Sequence, residues 1–196
     1  TETSPVVCVN PPDRIQPGAI GRPVAGTRLQ VLDDNDQPLG YDTPGELCVQ
    51  GPQVMKGYWN LPEETAKTLS DDGWVRSGDI AVLQRDGFVR IVDRKKDMIV
   101  SSGFNIYPNE VEDVLLRHED IHEAAVIGLP DEDSGESVVA FIVPRNGASL
   151  DAAALKQWCR QELTGYKVPR RFEFRDQLPR SSVGKVLRRV LRDELS

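Results

Sequence analysis

The spacing of apolar positions changes character near the middle of the chain. Up to residue 93, short apolar runs alternate with turns that contain proline or glycine, and helical spacing is rare. This pattern predicts short strands, among them residues 29–32 and 46–49. Asp86-Gly87 separates two further apolar runs, which predicts a tight hairpin turn. The first half is therefore predicted to be β-rich, with one short surface helix over residues 61–69.

From residue 94 onward the apolar positions follow helical and strand spacing in turn. Asn109 and Glu112 resemble a capping box, which predicts a helix that ends near His118. Apolar runs at 124–129 and 138–143 predict two strands, and residues 172–174 predict another. Apolar residues at helical spacing predict two further helices. The first contains Leu155, Trp158, Cys159 and Leu163, and the second contains Leu187, Val190, Leu191 and Leu195.

A run of five charged residues, 93–97, separates these two patterns and makes a poor core element. We therefore predict a domain boundary there, between residues 1–93 and residues 94–196. The predicted fold class is α+β, with a β-rich segment followed by a small α+β domain. The β-rich segment is expected to be incomplete.

Composition predicts a folded protein without a membrane span. Of the 196 residues, 39% are hydrophobic and 28% are charged, and the mean hydropathy is −0.40. The longest apolar run, residues 138–143, is far below the roughly 20 residues that a spanning helix needs. The 3 cysteines form no Cys-x-x-Cys pair, which argues against a disulfide framework or a zinc knuckle and favours a reducing cytoplasmic setting.

Charge is distributed unevenly along the chain. The net charge is −7, yet residues 160–196 are rich in arginine and lysine. This asymmetry is compatible with nucleic acid, acidic lipid or a phosphorylated small molecule as a partner. One non-enzymatic hypothesis is therefore a basic tail, with an amphipathic C-terminal helix, that binds nucleic acid or an anionic membrane.

Several common catalytic motifs do not occur in the sequence. There is no Gly-x-Ser-x-Gly, His-Glu-x-x-His or Gly-x-x-x-x-Gly-Lys-[Ser/Thr] string, which argues against the usual hydrolase, metalloprotease and P-loop chemistries. His118 and His122 have no third ligand near them in sequence, so surface histidines are favoured over a zinc site.

Three segments place a charged residue or a strand end beside glycine. Asp79 follows Gly78, where its oxygens could accept two hydrogen bonds from a vicinal diol such as ribose, or could simply cap a turn. Gly103 closes a small-residue loop that could pass a thin ligand or could be an ordinary hairpin. Lys185 lies in a loop just before a predicted helix, where an ammonium could offset charge as two anions are joined.

The order of six motifs resembles that of the adenylate-forming enzymes, the superfamily of acyl-CoA synthetases, firefly-type luciferases and peptide-synthetase adenylation domains. The matching strings lie at residues 1–5, 45–59, 77–79, 93–103, 165–169 and 179–185. Within these enzymes, residues 51–59, 91–98, 103–110 and 163–169 are most similar to bacterial long-chain fatty-acyl-CoA synthetases. The one departure is Ser77, where many relatives have threonine, and it keeps the hydroxyl.

The resemblance implies a two-step reaction. A fatty carboxylate displaces pyrophosphate from ATP to give an acyl adenylate, and the thiol of coenzyme A then releases AMP and forms a thioester. The implied nucleotide-binding residues are Thr1 at the α-phosphate, Glu2 at a magnesium ion (Mg2+), and Asp79 with Arg94 at the ribose.

The resemblance also implies a domain that turns between the two steps. Lys96 would be the hinge, Gly103 would line the passage for the pantetheine arm of coenzyme A, and Lys185 would bridge the carboxylate and the α-phosphate. Because Lys185 and Gly103 would serve different steps, the second domain would have to reorient.

The family implies a much longer protein, with the phosphate loop and the acyl pocket upstream. Residues 1–93 would then be the last, distorted barrel-like piece of a large AMP-binding domain, and residues 94–196 would be the C-terminal lid domain. The chain alone would not convert substrate. The implied partners are fatty acid, ATP and coenzyme A, without nucleic acid. Homodimer formation and peripheral contact with the inner face of the cell membrane are left open. A peptide-synthetase adenylation domain is the enzymatic alternative.

Overall fold

The computed structural model describes residues 1–195 and contains two compact units. The first unit is Thr1–Lys96, and the second begins at Asp97. A short 3-10 turn, Lys95–Asp97, contains the boundary. Each unit has its own buried apolar residues, with one cluster in the first unit and two in the second.

The first unit is built around an antiparallel sheet. Its strands are β3 (Arg28–Leu32), β4 (Gly45–Gln50), β5 (Val75–Leu83) and β6 (Val89–Arg94), paired in chain order. A separate pair is formed by β1 (Cys8–Val9) and β2 (Arg22–Pro23), and the single helix of this unit is α1 (Pro62–Thr68). Within residues 1–195, β3 and β6 remain the edges of an open sheet, so the barrel-like shape predicted for this piece is not a closed one.

The predicted hairpin between β5 and β6 is confirmed. The backbone amide of Gly87 donates to the Gln84 carbonyl at 2.9 Å, and Gly87 has a φ of +85°. Glycine adopts this left-handed conformation without a Cβ penalty, which is why Asp-Gly at this point of the sequence indicates a turn. The turn brings β6 back along β5 and so places Arg94 opposite Asp79.

The second unit has a mixed sheet covered by helices. Its strands are β7 (Ile99–Ser101), β8 (Phe104–Ile106), β9 (Ile121–Asp131), β10 (Gly135–Pro144) and β11 (Arg171–Phe174). Its helices are α2 (Pro108–Leu116), α3 (Ala152–Glu162) and α4 (Arg188–Asp193), with a 3-10 turn at Gly165–Lys167. Strand β10 pairs in parallel with β11 and antiparallel with β9 and, at one end, with β7. The α+β class is therefore confirmed.

Strand β10 explains the longest apolar run of the sequence. Val138, Ala140 and Ile142 belong to the cluster that contains residues of α2 and α3, whereas Val139 and Phe141 belong to the cluster on the other side of the sheet. Because successive side chains of a strand point to opposite faces, a strand buried on both faces must be apolar throughout.

The apolar stripe of the last helix belongs in part to the core of its own unit. Leu191 of α4 is buried in the cluster that contains Phe141, and Leu195 packs against that cluster, as does Val186 just before the helix. Leu187 remains 37% exposed, so the core takes up only part of the stripe. No helix among residues 1–195 is long and apolar enough to cross a membrane.

The capping box predicted for α2 is wrong. The helix begins at Pro108 after Tyr107, and no side chain caps its N-terminus. Glu112 instead accepts hydrogen bonds from the Val126 backbone amide at 2.8 Å and from the Arg188 guanidinium at 2.7 Å. A charged partner from α4 therefore takes the carboxylate that local spacing had assigned to the helix end.

The three cysteines are free thiols. Burial raises the pKa of Cys8, Cys48 and Cys159 to about 11 in each case. Because the thiolate is the nucleophilic form, these side chains are poorly suited to nucleophilic catalysis.

Candidate active site

Asp79 lies in an irregular stretch of β5. Between the regular pairs on either side, β4 contributes one residue, Leu47, while β5 contributes Ser77, Gly78 and Asp79. The Ser77 hydroxyl donates to the Leu47 carbonyl at 2.7 Å and accepts from the Asp79 backbone amide at 3.1 Å. Gly78 has a φ of +69°, a conformation that glycine adopts readily. This bulge, rather than the regular strand, sets the direction in which Asp79 projects.

Arg94, the last residue of β6, lies opposite Asp79. The two residues are paired in the register of β5 and β6, and Arg94 Nε lies 2.8 Å from Asp79 Oδ1. The side chains are 28% exposed for Asp79 and 56% exposed for Arg94. A carboxylate offers about four lone-pair sites, so the ion pair leaves acceptor capacity for a ligand hydroxyl.

These two residues share a cavity with the beginning of the chain. The cavity has a volume of about 540 Å³, and its lining includes Thr1, Glu2, Asp79 and Arg94. The volume lies within the range of about 300–1,000 Å³ that is usual for small-molecule sites. The structure thus brings together the four residues that the motif resemblance predicts to bind the nucleotide.

Glu2 is held in this cavity by residues of one neighbouring segment. The Tyr58 hydroxyl donates to Glu2 Oε1 at 3.0 Å, and the Met55 amide donates to the Glu2 carbonyl at 2.8 Å. Hydrogen bonds from its own backbone amide and from Tyr58 lower the pKa of Glu2 below its ordinary value. An ionised carboxylate is a suitable ligand for Mg2+, which proteins usually hold through one or two carboxylates and the substrate phosphates.

Tyr58 was not singled out from the sequence as a site residue. It lies in the Gly-Tyr-Trp string at residues 57–59, which was recognised only as part of a motif. Its hydroxyl contacts Glu2, which is 56 positions away in sequence. The motif was therefore a usable signal, although its partner could not be found from local spacing.

Lys96, predicted as the hinge, is the last residue of the first unit. It lies within the 3-10 turn Lys95–Asp97 and is exposed. Gly103 and Lys185, by contrast, belong to the second unit. The predicted site residues are thus divided between the two units.

Gly103 occupies a two-residue hairpin turn between β7 and β8. Ser102 has a φ of +52° and Gly103 has a φ of +80°, which is typical of a type I′ turn. A Cβ built on Gly103 would meet no atom of residues 1–195 within 4 Å. Backbone conformation, rather than crowding within the described residues, is what favours glycine here.

Lys185 lies on a short hairpin. Arg180 and Val186 form a bridge, the Ser181 amide donates to the Lys185 carbonyl at 2.8 Å, and the Gly184 amide donates to the Ser181 carbonyl at 2.9 Å. The sequence predicted a loop without this internal pairing. The hairpin leaves the Lys185 side chain exposed at its end.

Comparison with protein families gives two matches along the chain. Residues 1–59 match the family described as AMP-binding enzyme, and residues 110–185 match the AMP-binding enzyme C-terminal domain. Together the two matches cover more than half of the chain.

Several curated proteins that are similar to the chain are long-chain-fatty-acid–CoA ligases. The chain is 53% identical over 195 residues to the ligase of Salmonella typhimurium and 55% identical over 195 residues to that of Yersinia pestis. Each alignment covers 99% of this chain and 34% of the relative. The Bacillus subtilis ligase is 48% identical over 181 residues, which is 91% of this chain and 32% of that protein. The chain thus spans about a third of the length of these relatives.

Two solved structures resemble the chain over most of its length. ATP-bound MatB from Rhodopseudomonas palustris aligns with a TM-score of 0.93 and 36% identity, over 98% of this chain and 39% of that chain. The o-succinylbenzoate CoA synthetase MenE from Bacillus subtilis, in complex with its acyl-adenylate intermediate, aligns with a TM-score of 0.79 and 35% identity, over 91% of this chain and 35% of that chain. On its sequence, fold and motif order, the chain belongs to the AMP-binding, or adenylate-forming, enzyme family.

Proposed function

We propose that the chain is the C-terminal part of an ATP-dependent long-chain fatty acid–CoA ligase. The observation that carries the proposal is the cavity in which the Asp79–Arg94 ion pair faces the same space as Thr1 and Glu2. The identity to three ligases, between 48% and 55%, supports the substrate class. In the reaction, a fatty carboxylate oxygen bonds to the α-phosphorus of ATP as pyrophosphate leaves, and the thiol sulfur of coenzyme A then bonds to the acyl carbon as AMP leaves.

The first unit would bind the nucleotide. Asp79 accepts hydrogen bonds from both ribose hydroxyls, and Arg94 holds the Asp79 carboxylate and lies along the same sugar. Thr1 contacts the α-phosphate. Glu2, which accepts a hydrogen bond from Tyr58, would hold a magnesium ion that would offset the charge of the phosphates.

The second unit would supply one residue to each step. The exposed ammonium of Lys185 would offset the charge that develops as the fatty carboxylate and the α-phosphate meet. The Gly103 turn lines the passage for the pantetheine arm in the second step. Rotation at Lys96 exchanges the two arrangements, a role supported by its position at the end of the first unit.

The hypothesis of a basic tail that binds nucleic acid or membrane is not favoured. Most of its cations have carboxylate partners within the second unit, which reduces the positive field available to a polyanion. The pairs are Lys167–Glu110, Arg170–Asp131, Arg171–Glu173, Arg175–Glu173, Arg180–Glu123 and Arg188–Glu112. Cytoplasmic placement, peripheral membrane contact and a homodimer stay predictions.

A pyrophosphate-exchange assay tests the proposed substrate class. We expect the full-length enzyme to exchange labelled pyrophosphate into ATP with long-chain fatty acids and not with amino acids. The isolated 196-residue chain is the matched control and should show no exchange, since the proposal assigns the acyl pocket to the remainder of the enzyme. Exchange that depends on an amino acid would instead support a peptide-synthetase adenylation domain.

Gly103→Leu tests the assignment of the second step. We expect thioester formation from supplied acyl adenylate to fall about tenfold or more, because a side chain at the turn obstructs the thiol and misplaces it. Adenylate formation should fall much less. Both half-reactions are measured separately by single-turnover kinetics.

Gly103→Ala is the control for backbone strain. Alanine imposes a similar penalty, of about 1–2 kcal/mol, for its positive φ, but it adds only a methyl group. We therefore expect it to slow thioester formation less than leucine does. A greater loss of adenylation than of thioester formation in the leucine variant would contradict the proposed passage.

A further inference from the structure

A buried carboxylate lines the same cavity as the Asp79–Arg94 pair. Glu46 of β4 has a side chain that is only 7% exposed, and it forms part of the cavity wall. Its Oε2 atom accepts from Arg76 Nη1 at 2.9 Å and from Lys95 Nζ at 2.9 Å. A single buried oxygen atom thus binds two cations.

The two cations flank the two proposed ribose-binding residues. Arg76 immediately precedes the bulge of β5 that ends in Asp79. Lys95 immediately follows Arg94 at the end of β6. Glu46 therefore connects both strand segments that carry the pair. Arg76 also bonds to Asp36, so it has a second acidic partner, whereas Lys95 bonds to Glu46.

The local sheet geometry gives this connection its importance. Pairing is irregular both between β4 and β5 at the bulge and between β5 and β6 next to it. Where ladder hydrogen bonds are interrupted, side-chain contacts must define the position of the backbone. A buried ion pair is also costly to break on one side, because the remaining charge is left without compensation.

We propose that Glu46 is a positioning residue for nucleotide binding: through Arg76 and Lys95 it fixes the relative positions of Asp79 and Arg94, and so prepares the site for the ribose hydroxyls. The inference rests on the proposed function, since it takes Asp79 and Arg94 as the ribose-binding pair. It adds a residue that does not itself touch the sugar. Its effect must therefore depend on the hydroxyls that Asp79 binds.

Glu46→Gln is the direct test, because it removes the charge and keeps the shape. In the full-length enzyme we expect the affinity for ATP to fall about tenfold, the scale of one charge-assisted hydrogen bond. For 2′,3′-dideoxy-ATP, which lacks the ribose hydroxyls, we expect a change of less than about twofold relative to wild type, since preorganising Asp79 brings no gain there. Both affinities are measured by equilibrium titration.

Lys95 provides a second, more exposed test of the same contact. Its side chain is 35% exposed, so Lys95→Met carries less risk for folding than a change at Glu46. We expect Lys95→Met to show the same nucleotide-dependent loss, and Lys95→Arg to restore affinity for ATP by keeping the cation. Asp42→Asn, which disrupts an exposed pair with Arg85 in the same unit, is the matched control and should leave both affinities unchanged.

The outcomes separate this inference from the function on which it rests. An equal loss for ATP and the dideoxy nucleotide in Glu46→Gln and Lys95→Met, or no loss for either, overturns the positioning role alone. A wild-type enzyme that binds both nucleotides equally overturns the ribose assignment and this inference together. Loss that is confined to ATP and restored by Lys95→Arg supports it.

Discussion

Replacing Lys185 with alanine in the full-length enzyme should slow acyl-adenylate formation by about 100- to 1,000-fold, the usual effect of removing one group that stabilises transition-state charge. Lys185 is exposed at the end of its hairpin, so its loss should leave the core of the second unit intact. Thioester formation from supplied acyl adenylate should be largely unaffected, because no charge is then built between carboxylate and phosphate. The two rates are measured by pyrophosphate exchange and by single-turnover release of AMP.

Lys156→Ala is the matched control for this experiment. Lys156 lies on α3 of the same unit, so the substitution removes the same side chain and charge at a site that has no role in the proposed reaction. Both half-reactions should remain at the wild-type rate. Equal losses of both half-reactions in Lys185→Ala would contradict the proposed division between the steps.

Replacing Asp79 with alanine should weaken ATP binding by about 100-fold, because two hydrogen bonds from the ribose to a charged acceptor are lost. The substitution also leaves Arg94 without its partner at 2.8 Å, which adds to the misplacement of the sugar. The dissociation constant for ATP, obtained by titration, measures the effect.

Asp42→Asn serves as the control for Asp79→Ala, because asparagine, unlike alanine, tolerates the positive φ of +62° at this position. Asp42 also pairs with an arginine of the first unit, Arg85 at 3.1 Å, but this pair is exposed. Because exposed pairs contribute little, we expect unchanged ATP affinity and stability within about 1 kcal/mol of wild type. Retention of full ATP affinity in Asp79→Ala would show that the carboxylate does not bind the ribose.

The regular elements could be predicted because their signals are local. The Asp-Gly turn before β6 and the doubly buried strand β10 follow from backbone conformation and from side-chain alternation within a few residues. The capping box failed for the opposite reason. Arg188 is 76 positions away from Glu112 in sequence, and a charged partner at that distance cannot be seen in a four-residue pattern.

The candidate site shows the same limit. Asp79 and Arg94 could be assigned from motif order, but their contact depends on irregular pairing that the sequence does not indicate. Glu46 lies within the matching string at residues 45–59, but the string does not indicate its partners Arg76 and Lys95, which lie 30 and 49 positions further along the chain. Residues proposed to touch a ligand were thus easier to find than the residue proposed to hold them in place.

The bulge at residues 77–79 has an evolutionary consequence. In a regular ladder, inserting or deleting one residue reverses every later side chain between core and solvent. Here the pairs on either side of the irregularity are fixed independently, one by the buried residues near Val75 and the other by those near Ala81. The length and composition of the bulge can therefore change during evolution while the hydrophobic interior stays in register.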